Sequence, residues 1–94
     1  MIIVAGYIRT KPGSRDAFIE MSVGAMKAAR QLTDCMEFAV APDPVDPDRV
    51  IVYEAWTNEN ALENFRGEGP DADFSALIET VSVQRHHVSH SGPA

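Results

Sequence analysis

Seven residues near the middle of the chain, Pro42-Asp43-Pro44-Val45-Asp46-Pro47-Asp48, constrain its fold more than any others. Three prolines remove backbone donors and fix φ, and three aspartates favour turns, so the segment can be neither helix nor inner strand. Runs on both sides read as strands. Met36, Phe38 and Val40 alternate with Glu37 and Ala39, which predicts a strand from Cys35 to Ala41. Arg49 to Thr57 is rich in β-branched and aromatic residues and predicts a second. An exposed turn between two strands makes them an antiparallel hairpin.

The rest of the chain is read outward from that hairpin. Residues 2–10 alternate as another strand, with Ile3, Ala5, Tyr7 and Arg9 on one face and Ile2, Val4, Gly6 and Ile8 on the other. Both faces are largely apolar, so cover is expected on both. Pro12-Gly13 ends this strand and Ser14 is placed to cap a helix over about 14–32. Phe18, Met21, Ala25, Ala28, Ala29 and Leu32 recur in it at helical spacing. Thr57 or Asn58 can cap a second helix with Ala61, Leu62 and Phe65 as its apolar stripe, interrupted at Gly67-Glu68-Gly69-Pro70. The spacing then predicts a short helix from Pro70 or Asp71, with Phe74, Leu77 and Ile78 inward. A last strand follows over Val81 to Ser89, and Ser91–Ala94 is a frayed end.

The order β-α-β-β-α-β is an α+β pattern, the ferredoxin-like split βαβ. It places a four-stranded antiparallel sheet under helices on one face. The other face is apolar as well, which predicts a homodimer formed through the open sheet faces.

Composition narrows the classes. Ninety-four residues allow one domain, 1–94, with an ordered core over 1–90. One cysteine, Cys35, excludes an internal disulfide and reads as a small buried filler. Fourteen acidic residues against eight basic ones, without a basic stripe, argue against nucleic acid. No apolar run approaches the roughly 18–20 residues of a membrane span. The opening Met1–Ile8 lacks the basic segment of a secretory signal, so a cytoplasmic location is expected.

Four stretches carry a resemblance: Lys11-Pro12-Gly13 before a helix, Cys35-Met36-Glu37-Phe38 after it, Asp43 to Asp48 in the hairpin, and Glu54-Ala55-Trp56-Thr57-Asn58-Glu59-Asn60-Ala61-Leu62. Together they resemble the antibiotic biosynthesis monooxygenase (ABM) domain of the dimeric α+β barrel superfamily, over residues 1–90. The resemblance implies a homodimer with a shared barrel and a ligand pocket in each subunit between sheet and helices. It implies one of several activities. Some members are cofactor-free oxygenases that turn phenols or quinols into quinones, some degrade haem, and some are isomerases. Members commonly carry a histidine in the second helix where this chain has Phe65. Gly6, Phe65 and Phe74 match the asparagine, tryptophan and histidine ligand of haem-degrading members, which argues against haem here.

Several residues could carry chemistry. His86 and His87 are neighbours on the last strand and point to opposite faces. His86 and His90 lie about 13 Å apart along a strand, too far to share one metal ion. No metal site is expected, and whichever of His86 and His87 faces the pocket is a candidate general base. Tyr53 could stabilise a developing oxyanion, but it lies on the face opposite Trp56. Trp56, Phe18, Phe38, Phe65 and Phe74 supply an apolar lining, and Arg66 could reach an anionic group at the mouth. Glu54 shares a strand face with Trp56 and needs a partner, with Arg9, Arg85 or a histidine as candidates. It reads as a structural ion pair, with a catalytic carboxylate as the alternative. The expectation is a cofactor-independent monooxygenase of a small aromatic phenol or quinol, with molecular oxygen as co-substrate. The alternatives are a non-catalytic, stress-associated ligand-binding dimer, and an isomerase or cyclase of a small metabolite.

Overall fold

A computed structural model of the chain describes residues 1–68 and 74–94. Its elements are β1 (Ile2–Thr10), α1 (Arg15–Arg30), β2 (Cys35–Pro42), β3 (Arg49–Trp56), α2 (Glu59–Glu68), a 3-10 turn (Ser75–Leu77) and β4 (Ile78–His87). The four strands form one antiparallel sheet in the order β2-β3-β1-β4, which is the expected split-βαβ arrangement.

The pleat sends the even-numbered residues of β1 and β3, with Phe38 and Val40 of β2, towards the helices. Ile2, Val4, Phe38, Val50, Val52, Glu54 and Trp56 are all buried there. Ala29 of α1 and Leu62 of α2 close the core above them. The opposite face is open. Ile51 and Tyr53 are 36% and 41% exposed, and Ile3, Ala5 and Tyr7 are half-buried. The expected cover on both faces of β1 is therefore supplied within one chain on the helix side alone.

The Pro/Asp segment has a structural task that its composition does not reveal. Arg9 and Arg49 stand directly opposite each other on β1 and β3. Like charges so placed repel. Asp46 pairs with Arg9 at 2.8 Å and Asp43 pairs with Arg49. Asp43 also accepts from the backbone N–H of Val45 and Asp46, at 2.7 and 3.1 Å. Arg15 at the start of α1 donates to the carbonyls of Asp43 and Asp46, both at 3.0 Å. The Arg49 guanidinium further lies 4.3 Å from the Tyr7 ring centroid. The turn is thus fastened to β1 and α1.

Five local readings are corrected. Strand β4 begins three residues earlier than Val81 and ends at His87, because β1 pairs with it from Ile78 onward. Met36 is an extra residue in β2: Cys35 faces Trp56 and Glu37 faces Ala55, so Met36 turns outward and is 52% exposed. Met21, Ala28 and Leu32 are exposed, and the buried stripe of α1 runs through Phe18, Ser22 and Ala29. Ser22 is tolerated there because its hydroxyl donates to the Phe18 carbonyl at 2.8 Å. Ser14 occupies the N-cap position of α1 without a side-chain cap bond. Helix α2 continues through Gly67 to Glu68, and Ile78 belongs to β4. The predicted helix start at Pro70 or Asp71 lies outside the described residues. Asn58 does cap α2, its Oδ1 accepting from Ala61 N–H at 2.8 Å.

Candidate functional site

Phe38, Trp56 and Phe65 come together from β2, β3 and α2. Ring centroids are 6.5 Å apart for Phe38 and Trp56, 5.7 Å for Phe38 and Phe65, and 5.4 Å for Trp56 and Phe65. The β2–β3 register places Phe38 opposite Glu54, and the β1–β3 register places Val4 on the other side of it. Glu54 is therefore flanked by apolar side chains on both neighbouring strands.

The partner of Glu54 is not the expected cation. Arg9 is held by Asp46, and Arg85 by Glu59 at 3.1 Å and Glu63 at 2.6 Å. Instead the Trp56 indole N–H donates to Glu54 Oε1 at 3.0 Å. Residues two apart on a strand share a face, which brings the two side chains into reach. Burial pushes the Glu54 carboxyl above its ordinary range. The indole bond, and the charges of Arg66 and Arg85, pull it partly back.

Outside this cluster lies a cleft of about 300 Å³ between the end of α1 and α2, lined by Leu32, Thr33, Asp34, Ala61, Asn64 and Phe65. Thr57 Oγ1 donates to Asp34 Oδ1 at 2.7 Å and fixes one side of its rim. The Phe65 ring is shared between this cleft and the aromatic cluster.

The remaining predicted residues are dispersed. Phe18 packs on Phe74 with centroids 5.3 Å apart, on the α1 side of the 3-10 turn. Arg66 is exposed on α2 and acts on Glu54 only through its charge. His87 lies on the helix side, but its side chain is 68% exposed and its Nε2 is 3.3 Å from Glu59. His86 and Tyr53 belong to the open face, since His86 is paired with Ile3 and Tyr53 with Ala5. The proposed bases and the aromatic lining are thus on different sides of the sheet or at its rim. Among the described residues no cluster of metal-binding side chains occurs. The sequence reads Glu54 as an ion pair with a catalytic carboxylate as the alternative, and does not pair it with the indole. Its spacing of two residues from Trp56 was the available signal for the contact.

The fold and this buried face define a ferredoxin-like split-βαβ domain with its candidate site between sheet and helices. The model of the family "Antibiotic biosynthesis monooxygenase" matches residues 1–79, and the chain belongs to that family. Solved structures share the fold. A candidate antibiotic biosynthesis monooxygenase from Nitrosomonas europaea superposes with a TM-score of 0.84 at 15% identity, covering 96% of this chain and 100% of the other. One from Deinococcus radiodurans gives 0.83 at 18% identity, covering 100% and 98%. An uncharacterized protein from Synechocystis sp. is 29% identical over 62 residues, 66% of this chain and 42% of the relative. The matched stretch thus spans about two fifths of that curated relative's length. No helix among the described residues is long and apolar enough to cross a membrane.

Proposed function

We propose that the chain is the subunit of a monooxygenase that oxidises a small aromatic phenol or quinol with molecular oxygen and no resident cofactor. Family membership supports monooxygenase chemistry or a relative of it. The observation that carries the substrate class is the Phe38–Trp56–Phe65 cluster, two of whose rings flank the buried Glu54 carboxyl and whose third, Phe65, lines a cleft large enough for a flat ring. For a phenol with a free ring position, one oxygen atom of O2 enters the ring as the second quinone oxygen and the other leaves as water. The ring supplies all four electrons, so no external reductant is required. The protein's part is to remove the hydroxyl proton, hold the ring and exclude water.

The apolar open face, with Ile3, Tyr7, Ile51 and Tyr53, suits the same face of a second copy, and a homodimer is part of this reading. In that dimer Tyr53 and His86 belong to the subunit contact. The test is oxygen uptake by the metal-stripped protein with quinols, naphthols and anthrones. Uptake above autoxidation with stoichiometric quinone is the expected result. Tight binding without uptake would favour the non-catalytic binding dimer, a reading that Phe65 in place of the family's helix histidine also favours.

A further inference from the structure

Two carboxylates are buried among the described residues, and they are treated very differently. Asp43 is engaged by Arg49 and by two backbone N–H groups. Among the described residues Glu54 accepts one hydrogen bond, from the Trp56 indole, and no cation lies within ion-pair distance of it. A carboxyl left so poorly compensated in an apolar wall destabilises the fold. A leucine there would leave the buried indole N–H of Trp56 without its acceptor. A neutral glutamine amide would serve the indole equally well, so the indole accounts for an acceptor at this position and not for an ionisable one.

Its surroundings suit a proton acceptor. The carboxyl is fixed by a neutral donor, which leaves its charge unneutralised. It stands beside Phe38 and Trp56, the Phe65 ring packs on both of these, and Phe65 is all that the cleft and the cluster share. We propose that Glu54 accepts the hydroxyl proton of an aromatic ligand that enters by this cleft and displaces the Phe65 ring, with Trp56 as the positioning residue. The ligand O–H bond breaks, an O–H bond forms on the free oxygen of Glu54, and the negative charge moves to the ring oxygen. The step needs no oxidant. It rests on the phenol reading above, but not on the oxygen chemistry. The charged and titratable groups that act on Glu54 are Arg66 of α2 and Arg85 of β4, with Cys35 of β2 also within electrostatic range.

The test is binding of 1-naphthol and of its methyl ether across pH 4.5 to 8, by calorimetry, to the wild type and to Glu54→Gln. The glutamine keeps an acceptor for the indole and removes the ionisation. Trp56 is the chain's single tryptophan, so its emission also follows the Glu54 titration directly. The expected result is naphthol affinity that rises about tenfold as Glu54 ionises, the scale of one charge-assisted hydrogen bond. The ether should show no such rise, and Glu54→Gln should bind naphthol independently of pH. Trp56→Phe removes a bond that lowers the Glu54 pKa, so its affinity transition should move to higher pH. Equal pH profiles for naphthol and ether, an unchanged profile in Glu54→Gln, or no naphthol binding would each overturn the proposal. Absence of oxygen uptake beside pH-linked naphthol binding would instead sink the monooxygenase reading and support the proton acceptor.

Discussion

The indole N–H of Trp56 donates to the carboxylate of Glu54 at 3.0 Å, and both side chains are buried on the helix-facing side of β3. Burial raises the Glu54 pKa above its ordinary 4.5. The folded state therefore holds this proton more tightly than the unfolded chain. The stabilising contribution is complete below the unfolded pKa and is lost as pH rises through the folded one. Glu54→Gln should accordingly be more stable than the wild type at pH 7, with the gap closing towards pH 4. Urea midpoints at the two pH values measure this.

Asp43 behaves in the opposite sense. Backbone N–H groups of Val45 and Asp46, with Arg49, hold its pKa at about 2 against an ordinary 3.8. Its contribution is present above pH 4 and is lost as pH falls towards 2. Asp43→Asn should lower stability at pH 7 and flatten the acid limb of the denaturation curve. An acid limb as steep as the wild type's would show that other carboxylates govern it.

Gly6 has no room for a side chain. A Cβ there would lie 2.0 Å from the Ser82 carbonyl oxygen on β4, and its φ of +154° is one that side chains rarely adopt. Gly6→Ala should cost roughly 2–3 kcal/mol, the scale of overpacking in a fixed core. Thermal unfolding checks this. The loss should come with disturbed β1–β4 amide protection, whereas Gly24→Ala, which meets nothing within 4 Å, should be benign.

Phe65 closes the cleft inward. Phe65→Ala should cost about 2 kcal/mol of stability, less than a fully buried phenylalanine because one side of the ring is already open. It should also speed naphthol association, read by stopped-flow quenching of Trp56. Unchanged association would mean that ligands reach Glu54 by another route.

The open face should carry the dimer. Ile51→Lys with Tyr53→Glu should give a monomer in sedimentation, without loss of the helix-side core, because both residues are partly exposed in the single chain. A dimer that survives this double change would place the subunit contact elsewhere.

Much of the fold was legible in the chain. Period-two apolar runs, a hairpin turn that excludes other structure, and two helical stripes, the second capped by Asn58, set the order of elements. These are local signals, carried by neighbouring residues. The alternation also established that Glu54 and Trp56 share a face and that Tyr53 opposes them. The bulge at Met36 and the early start of β4 were not legible, because register depends on the partner strand.

What the sequence by itself determined was the β-α-β-β-α-β order and the two faces of each strand, since pleat and helical turn follow from backbone geometry. Which face met the helices, and so which candidates could meet one another, was decided only by tertiary packing. That packing put Phe65 from α2 against Trp56, and left His86 and Tyr53 on the far side of the sheet. It set Arg9 opposite Arg49 and brought Asp43 and Asp46 to neutralise them. It also gave Glu54 an indole rather than a cation, because among the described residues Arg9 and Arg85 are paired with other carboxylates and no arginine reaches ion-pair distance of Glu54. Such choices rest on contacts between residues far apart in the chain, and no local pattern encodes them.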